Sequence, residues 1–111
     1  PAIIDLDNQT KGTAVIGELG MIREGLIPIL TKRIKVPVLI VIGEKDKLFC
    51  SSLFPCTDAQ TIIKREKSAY SGTDKLEALV LKNTGHSMNY ERTAPEFYQK
   101  AKEWLLRNFG Q

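Results

Sequence analysis

The stretch Val36-Pro37-Val38-Leu39-Ile40-Val41-Ile42-Gly43-Glu44-Lys45-Asp46 decides how the rest of this chain is read. Its middle is a continuous β-branched and apolar run, the pattern of a strand covered on both faces in a parallel sheet. The run predicts a strand over 36–42. Pro37 stands at its entrance, where a missing backbone N–H is tolerable. Gly43 ends it, and Gly43-Glu44-Lys45-Asp46 reads as a tight polar turn at the strand's C-terminal edge.

Downstream, Lys47 to Pro55 has no periodicity and reads as an irregular loop. Thr57 with Gln60 resembles a capping box and opens a short helix to about Lys67. Tyr70-Ser71-Gly72-Thr73-Asp74 is a turn. A second strand is predicted over Leu76–Leu81, followed by Asn83-Thr84-Gly85-His86. Thr93 and Glu96 form a further capping box, with Pro95 tolerated in the first turn. That helix presents Phe97, Ala101, Trp104 and Leu105 on one face and stops at Gly110. Strand, helix, strand, helix is an α/β pattern, and the connections favour a right-handed parallel crossover.

Upstream, Val15, Leu19, Ile22 and Leu26 recur at helical spacing between Thr13 and about Leu30. Gly17, Gly20 and Gly25 interrupt them, each costing about 1 kcal/mol relative to alanine in a helix interior. A broken helix or two short ones is expected there, leaning on a neighbour for stability.

Composition narrows the function classes. The chain has 111 residues, 42% of them apolar and 26% charged, with a net charge of +3. One domain is the ceiling at this length. The basic residues are dispersed, with Lys32, Arg33 and Lys35 in one group and Lys64, Arg65 and Lys67 in another. Solvated helix ends explain both groups more simply than a phosphate track, so nucleic acid is not an expected partner. No apolar run approaches the ~18 to 20 residues that span a bilayer. There is no signal peptide and no initiator Met, so the chain opening at Pro1 reads as a processed, truncated or cleaved product. Cys50 and Cys56 lie in the irregular loop with no histidine nearby, a poor metal site. Free, partly buried thiols are the simpler reading, with a local disulfide the alternative in an oxidising compartment. Cytoplasmic and secreted localisation both stay open.

Functional groups of an open α/β sheet gather beyond the carboxyl ends of its strands. Asp46 lies just past the first strand and His86, the single histidine, just past the second. Adjacent parallel strands are ~5 Å apart, so a carboxylate and an imidazole on adjoining turns come within hydrogen-bond reach. Such a bond sets the histidine tautomer and steadies an imidazolium. Against this stand simpler readings: an Asp after a strand is often a turn former, and a lone histidine is often structural.

The segments Val36 to Asp46 and Leu79-Val-Leu-Lys-Asn-Thr-Gly-His86 resemble the late strand with its acid turn, and the last strand with its histidine loop, of the α/β hydrolases. Glu91 to Phe109 resembles the terminal helix that packs on their sheet. The resemblance covers Ile34 to Phe109 and implies the C-terminal portion of a hydrolase sheet, two parallel strands with flanking helices, over 34–111. Residues 1–33 fall where such enzymes carry a helical lid. It further implies esterase- or lipase-like acyl hydrolysis, with Asp46 and His86 as two members of a Ser-His-Asp triad. An epoxide or haloalkane substrate is a variant, because related folds use an Asp nucleophile in the same elbow. No metal or organic cofactor is implied.

The family's nucleophile elbow, Gly-x-Ser-x-Gly, is nowhere in these residues, and neither is the oxyanion-hole segment. Ser51, Ser52, Ser68, Ser71 and Ser87 lack the flanking glycines. Ser87 adjoins His86, a poor arrangement for aiming a hydroxyl at the ring. Glu44 is an alternative acid, and Cys50 or Cys56 are alternative nucleophiles if a thiol pKa is depressed. The expectation is that the parent enzyme supplies nucleophile and oxyanion donors from a missing N-terminal half, and that the chain alone is inactive.

Two rival readings remain. Ile3-Ile4-Asp5-Leu6-Asp7 resembles the strand and Asp-x-Asp nucleophile of haloacid-dehalogenase-type phosphatases, with a Mg²⁺ site as its corollary. The other is a non-catalytic fragment that self-associates through its lid face and open sheet edge.

Overall fold

A computed structural model describes residues 5, 6, 9 and 30–110 of the chain. The elements are strand β1 (Val38–Gly43), helix α1 (Ala59–Glu66), strand β2 (Leu76–Leu81), a 3₁₀ turn (Met88–Tyr90) and helix α2 (Ala94–Phe109). The two strands pair in parallel, with Val38 opposite Leu76 and Gly43 opposite Leu81. This is a small α/β unit. The expected lid-like segment lies outside the described residues except at 5, 6, 9 and 30–33. Asp5 and Leu6 are helical and exposed, whereas the phosphatase alternative needs Asp5 at the end of a strand.

β1 begins two residues later than the apolar run implies. Pro37 has no N–H to donate, and the first contact across to the β2 side is the Val38 N–H to the Lys75 carbonyl, at 2.9 Å. Val36 is left in a bend and exposed. From Val38 onward the β-branched residues suit a pleated, half-buried surface, and they alternate between two faces. Ile40, Ile42, Ala78 and Val80 pack with Cys50, Cys56 and Ile62, forming the core on the α1 side. On the other face, Leu39, Glu77 and Leu79 share a groove with Trp104 and Arg107 of α2.

Helix α1 is capped by Asp58, one residue after the expected Thr57. Asp58 Oδ1 accepts the Thr61 N–H at 2.9 Å, and its Oδ2 accepts both the Thr57 and Thr61 hydroxyls at 2.8 Å. A carboxylate caps better than a threonine hydroxyl because its charge also meets the positive end of the helix dipole. Those hydrogen bonds, led by the Thr61 backbone, lower its pKa from 3.8 to about 2. A folded-state value below the ordinary one means stability that is complete above pH 3.8 and lost as pH falls through about 2. In urea titrations across that window, the stability advantage of the native chain over Asp58→Asn is expected to shrink with acidification. A constant difference would show that the charge contributes nothing. The helix contributes Ile62, fully buried, to the core.

The second expected capping box does not form. Thr93 occupies the N-cap of α2 but makes no side-chain cap bond. Its hydroxyl lies 2.7 Å from the Thr84 hydroxyl instead, because Thr84 is fully buried and its hydroxyl needs a partner inside the protein. The inward row of α2 runs through Ala94, Phe97, Ala101 and Trp104, while Leu105 faces out. Glu77 on β2 ties the helix to the sheet, accepting from Trp104 Nε1 at 2.9 Å and Arg107 Nη2 at 2.6 Å.

Residues 30–35 dock beside the α1–β2 connection. Thr31 donates to the Ala69 carbonyl at 2.6 Å. A Cβ at Gly72 would overlap the Lys32 and Ile34 carbonyl oxygens, so glycine lets the two backbones pass.

Candidate active site

Both strands end at the same level, and the two turns beyond them are built as one unit. The Glu44 N–H continues the ladder to the Leu81 carbonyl at 2.9 Å, and the Lys45 N–H reaches the Thr84 carbonyl at 2.8 Å. Asn83 adopts φ 55, a left-handed conformation that asparagine tolerates. The turns approach so closely that a Cβ at Gly43 would overlap the carbonyl oxygens of Thr84 and Gly85. Glycine at the end of β1 therefore sets the distance between the acid turn and the histidine turn.

Asp46 and His86 meet across that junction, with His86 Nδ1 2.8 Å from Asp46 Oδ2. Asp46 is only 2% exposed. Its other oxygen, Oδ1, accepts the Leu48 N–H at 2.8 Å and the Phe49 N–H at 3.2 Å. Burial pushes the carboxyl pKa up, but the hydrogen bonds from His86, Leu48 and Phe49 together outweigh it. The net shift is downward. At neutral pH the group is a carboxylate and can only accept, so the His86 Nδ1 carries the shared proton. In the neutral imidazole this leaves the lone pair on Nε2.

The His86 side chain is 47% exposed, and Nε2 has no hydrogen-bond partner among the described residues. The Phe49 ring lies 5.5 Å from the imidazole, tilted by 41°. Glu91 accepts the Gly85 N–H at 3.1 Å and steadies the backbone just before the histidine. The buried Thr84 hydroxyl, bonded to the Lys82 carbonyl and to Thr93, fixes the same loop from below.

The alternatives to this pair are placed elsewhere. The Glu44 carboxylate is taken by Lys82 Nζ at 2.9 Å and the Asn83 N–H at 3.0 Å. Those contacts, with the Asn83 backbone foremost, hold its pKa below the usual range. It braces the histidine turn and does not face the imidazole. Cys50 and Cys56 are joined in a disulfide, which corrects the free-thiol reading and removes both as nucleophiles. Their Cα atoms are 5.6 Å apart, inside the bridging range, because the loop doubles back through the Ser51 N–H to Phe54 carbonyl bond. Ser87 starts the 3₁₀ turn, and no serine hydroxyl among the described residues bonds to His86.

Sequence reasoning missed Thr84, Glu91 and Phe49. Thr84 had a signal, a small hydroxyl between a strand end and Gly85-His86, where a buried turn needs an internal donor. Phe49 had none, since its contact with His86 depends on how an irregular loop folds.

No group of three or more His, Cys, Asp or Glu among the described residues is placed to hold a metal ion. No described helix is long and apolar enough to cross a membrane. A groove of about 760 Å³ opens between the end of α1 and the turn before β2, lined by Lys64, Lys67, Tyr70 and Thr73, but neither Asp46 nor His86 lines it. Fold and site together define a parallel α/β unit bearing an oriented acid–histidine pair at its C-terminal edge. No family model matches the chain, and no curated protein matches it.

Proposed function

We propose that this chain is the C-terminal part of an α/β-hydrolase-type enzyme that cleaves an ester or related acyl bond, with Asp46 and His86 serving a nucleophile carried outside these residues. The observation that carries this reading is the 2.8 Å bond between His86 Nδ1 and Asp46 Oδ2 at the ends of neighbouring parallel strands. It leaves Nε2 as the free base, on a side chain half open to solvent.

In the proposed reaction, Nε2 takes the proton of the nucleophile's hydroxyl as that oxygen attacks the acyl carbon. The imidazolium so formed stays paired with the Asp46 carboxylate and returns the proton to the leaving alkoxide. Water repeats the cycle to release the acid. Asp46 never needs to accept the proton; its backbone donors and the imidazolium keep it charged. Oxyanion donors and a pocket wall must come from the same source as the nucleophile, consistent with a His86 that lies in the open.

The 111-residue chain alone is expected to give no turnover of a short-chain nitrophenyl ester above the level of free imidazole. The coding sequence upstream of Pro1 is expected to encode a Gly-x-Ser-x-Gly elbow, and the joined polypeptide to hydrolyse the ester. Hydrolysis by the 111 residues themselves, lost in His86→Ala, would overturn the division of labour. An upstream sequence without any elbow would overturn the family reading.

A second reading, self-association, draws on exposed Tyr98, Leu105, Leu106 and Phe109 on α2. It is compatible with hydrolase ancestry, and a clean monomer in sedimentation would contradict it.

A further inference from the structure

The segment that follows Asp46 presents a physical problem. Lys47, Leu48 and Phe49 are exposed, Leu48 at 72% and Phe49 at 51%, and the tilted contact of the Phe49 ring with His86 is a surface contact that does not anchor them in the core. Yet the amides of Leu48 and Phe49 are the two donors that satisfy Oδ1 of a carboxylate buried to 2%. A third amide, that of Cys50, donates to the Asp46 backbone carbonyl at 2.9 Å. Something besides that ring contact must keep three exposed residues wrapped around the acid.

The disulfide is placed to do so. Cys56 is 3% exposed and packs with Ile42 and Ile62 in the core. Cys50, bonded to it, is thereby pinned at the far end of the wrap, while Gly43 and Asp46 pin the near end. Residues 47–49 are left with little slack. Without the bond, the irregular stretch from Lys47 to Asp58 regains the conformational freedom that the cross-link removes.

We propose that the Cys50–Cys56 disulfide is a positioning device for the acid, holding the Leu48 and Phe49 amides on Asp46, and that its reduction by a dithiol uncouples Asp46 from His86. The positioning stands on the contacts alone; only its consequence for catalysis rests on the hydrolase reading. In the reductive step, a dithiol thiolate attacks the Cys50 sulfur, the more exposed of the two, and the Cys50–Cys56 bond breaks. The second thiol of the reductant then displaces Cys50 from the mixed disulfide. The dithiol ends as a disulfide, having supplied two electrons and two protons, and both cysteines end as thiols. The buried carboxylate then loses donors and its proton affinity rises. His86 is the titratable side chain that contacts the carboxylate, and loss of that contact frees Nδ1 as well.

The test follows the Asp46 carboxyl carbon by NMR through an acid titration of the full 111-residue chain, oxidised and after dithiothreitol, together with amide exchange. On reduction the Asp46 midpoint is expected to rise toward its ordinary value. Exchange at Leu48 and Phe49 is expected to accelerate by about tenfold or more, while Val41 and Leu79 in the strands stay protected. Cys50→Ala with Cys56→Val, which keeps the core position filled, is expected to reproduce the reduced values without reductant. An unchanged midpoint and unchanged loop exchange, with both thiols shown to be free, would overturn the proposal. So would equal acceleration in the strands in both the reduced chain and the double variant, which would make the bond a support of the whole fold. A shifted midpoint alongside an elbow-bearing polypeptide that hydrolyses no ester would keep the positioning role and remove the hydrolase reading.

Discussion

Replacing His86 with alanine is expected to lower kcat for ester hydrolysis in the joined polypeptide on the order of 10⁶-fold, with little change in KM. The magnitude follows from what the imidazole does in the proposed reaction. Its Nε2 is the nitrogen that the bond to Asp46 leaves free to take the nucleophile's proton, and no other described side chain contacts the Asp46 carboxylate to replace it. Asp46→Asn is expected to cost less, on the order of 10⁴-fold. The asparagine amide can present its N–H₂ to Nδ1 and favour the wrong tautomer, while Nε2 stays near its place. Steady-state kinetics on both variants distinguish the roles. Equal activity of His86→Ala and the native protein would remove His86 from the chemistry altogether.

The second large effect comes from a residue with no side chain. Gly43→Ala is expected to destabilise the fold by more than about 3 kcal/mol. The added Cβ has no flexible neighbour to displace; it meets the Thr84 and Gly85 backbone carbonyls. Relief requires the histidine turn to move away from the acid turn, which breaks the Lys45–Thr84 bond and draws His86 off Asp46. Urea denaturation reads the stability change, and the Asp46 carboxyl titration reads the separation. A cost within about 0.5 kcal/mol, as for an ordinary surface substitution, would show that the turns are not held at contact distance.

The same junction shows what residue patterns convey and where they stop. The β2 strand has the bounds that its apolar run implies, Leu76–Leu81, because a short run between Asp74-Lys75 and Lys82-Asn83 admits little else. β1 slid by two residues for a local reason: Pro37 delays the first ladder bond. Asp46 and His86 could be placed together on paper because parallel strands force their C-terminal ends side by side. The helix caps failed differently. Thr93 has the right residue type at the right spacing, but the buried Thr84 competes for its hydroxyl, and Asp58 outcompetes its neighbour Thr57 for the start of α1. Both contests are tertiary or charge effects that a four-residue motif does not contain. The cysteine pairing depends on an irregular loop doubling back, and so does the Phe49–His86 contact. The outward turn of Leu105 reflects a narrow sheet, which covers one row of α2 and leaves the adjoining one exposed.

The central claim is that Asp46 holds His86 in one tautomer with Nε2 free, and imidazole nitrogen NMR on the 111-residue chain tests it most directly. With the ring in its neutral form, the spectrum is expected to show the proton on Nδ1, with a downfield proton resonance that disappears in Asp46→Asn. A ring protonated mainly on Nε2, or one whose signals ignore Asp46→Asn, would contradict the account.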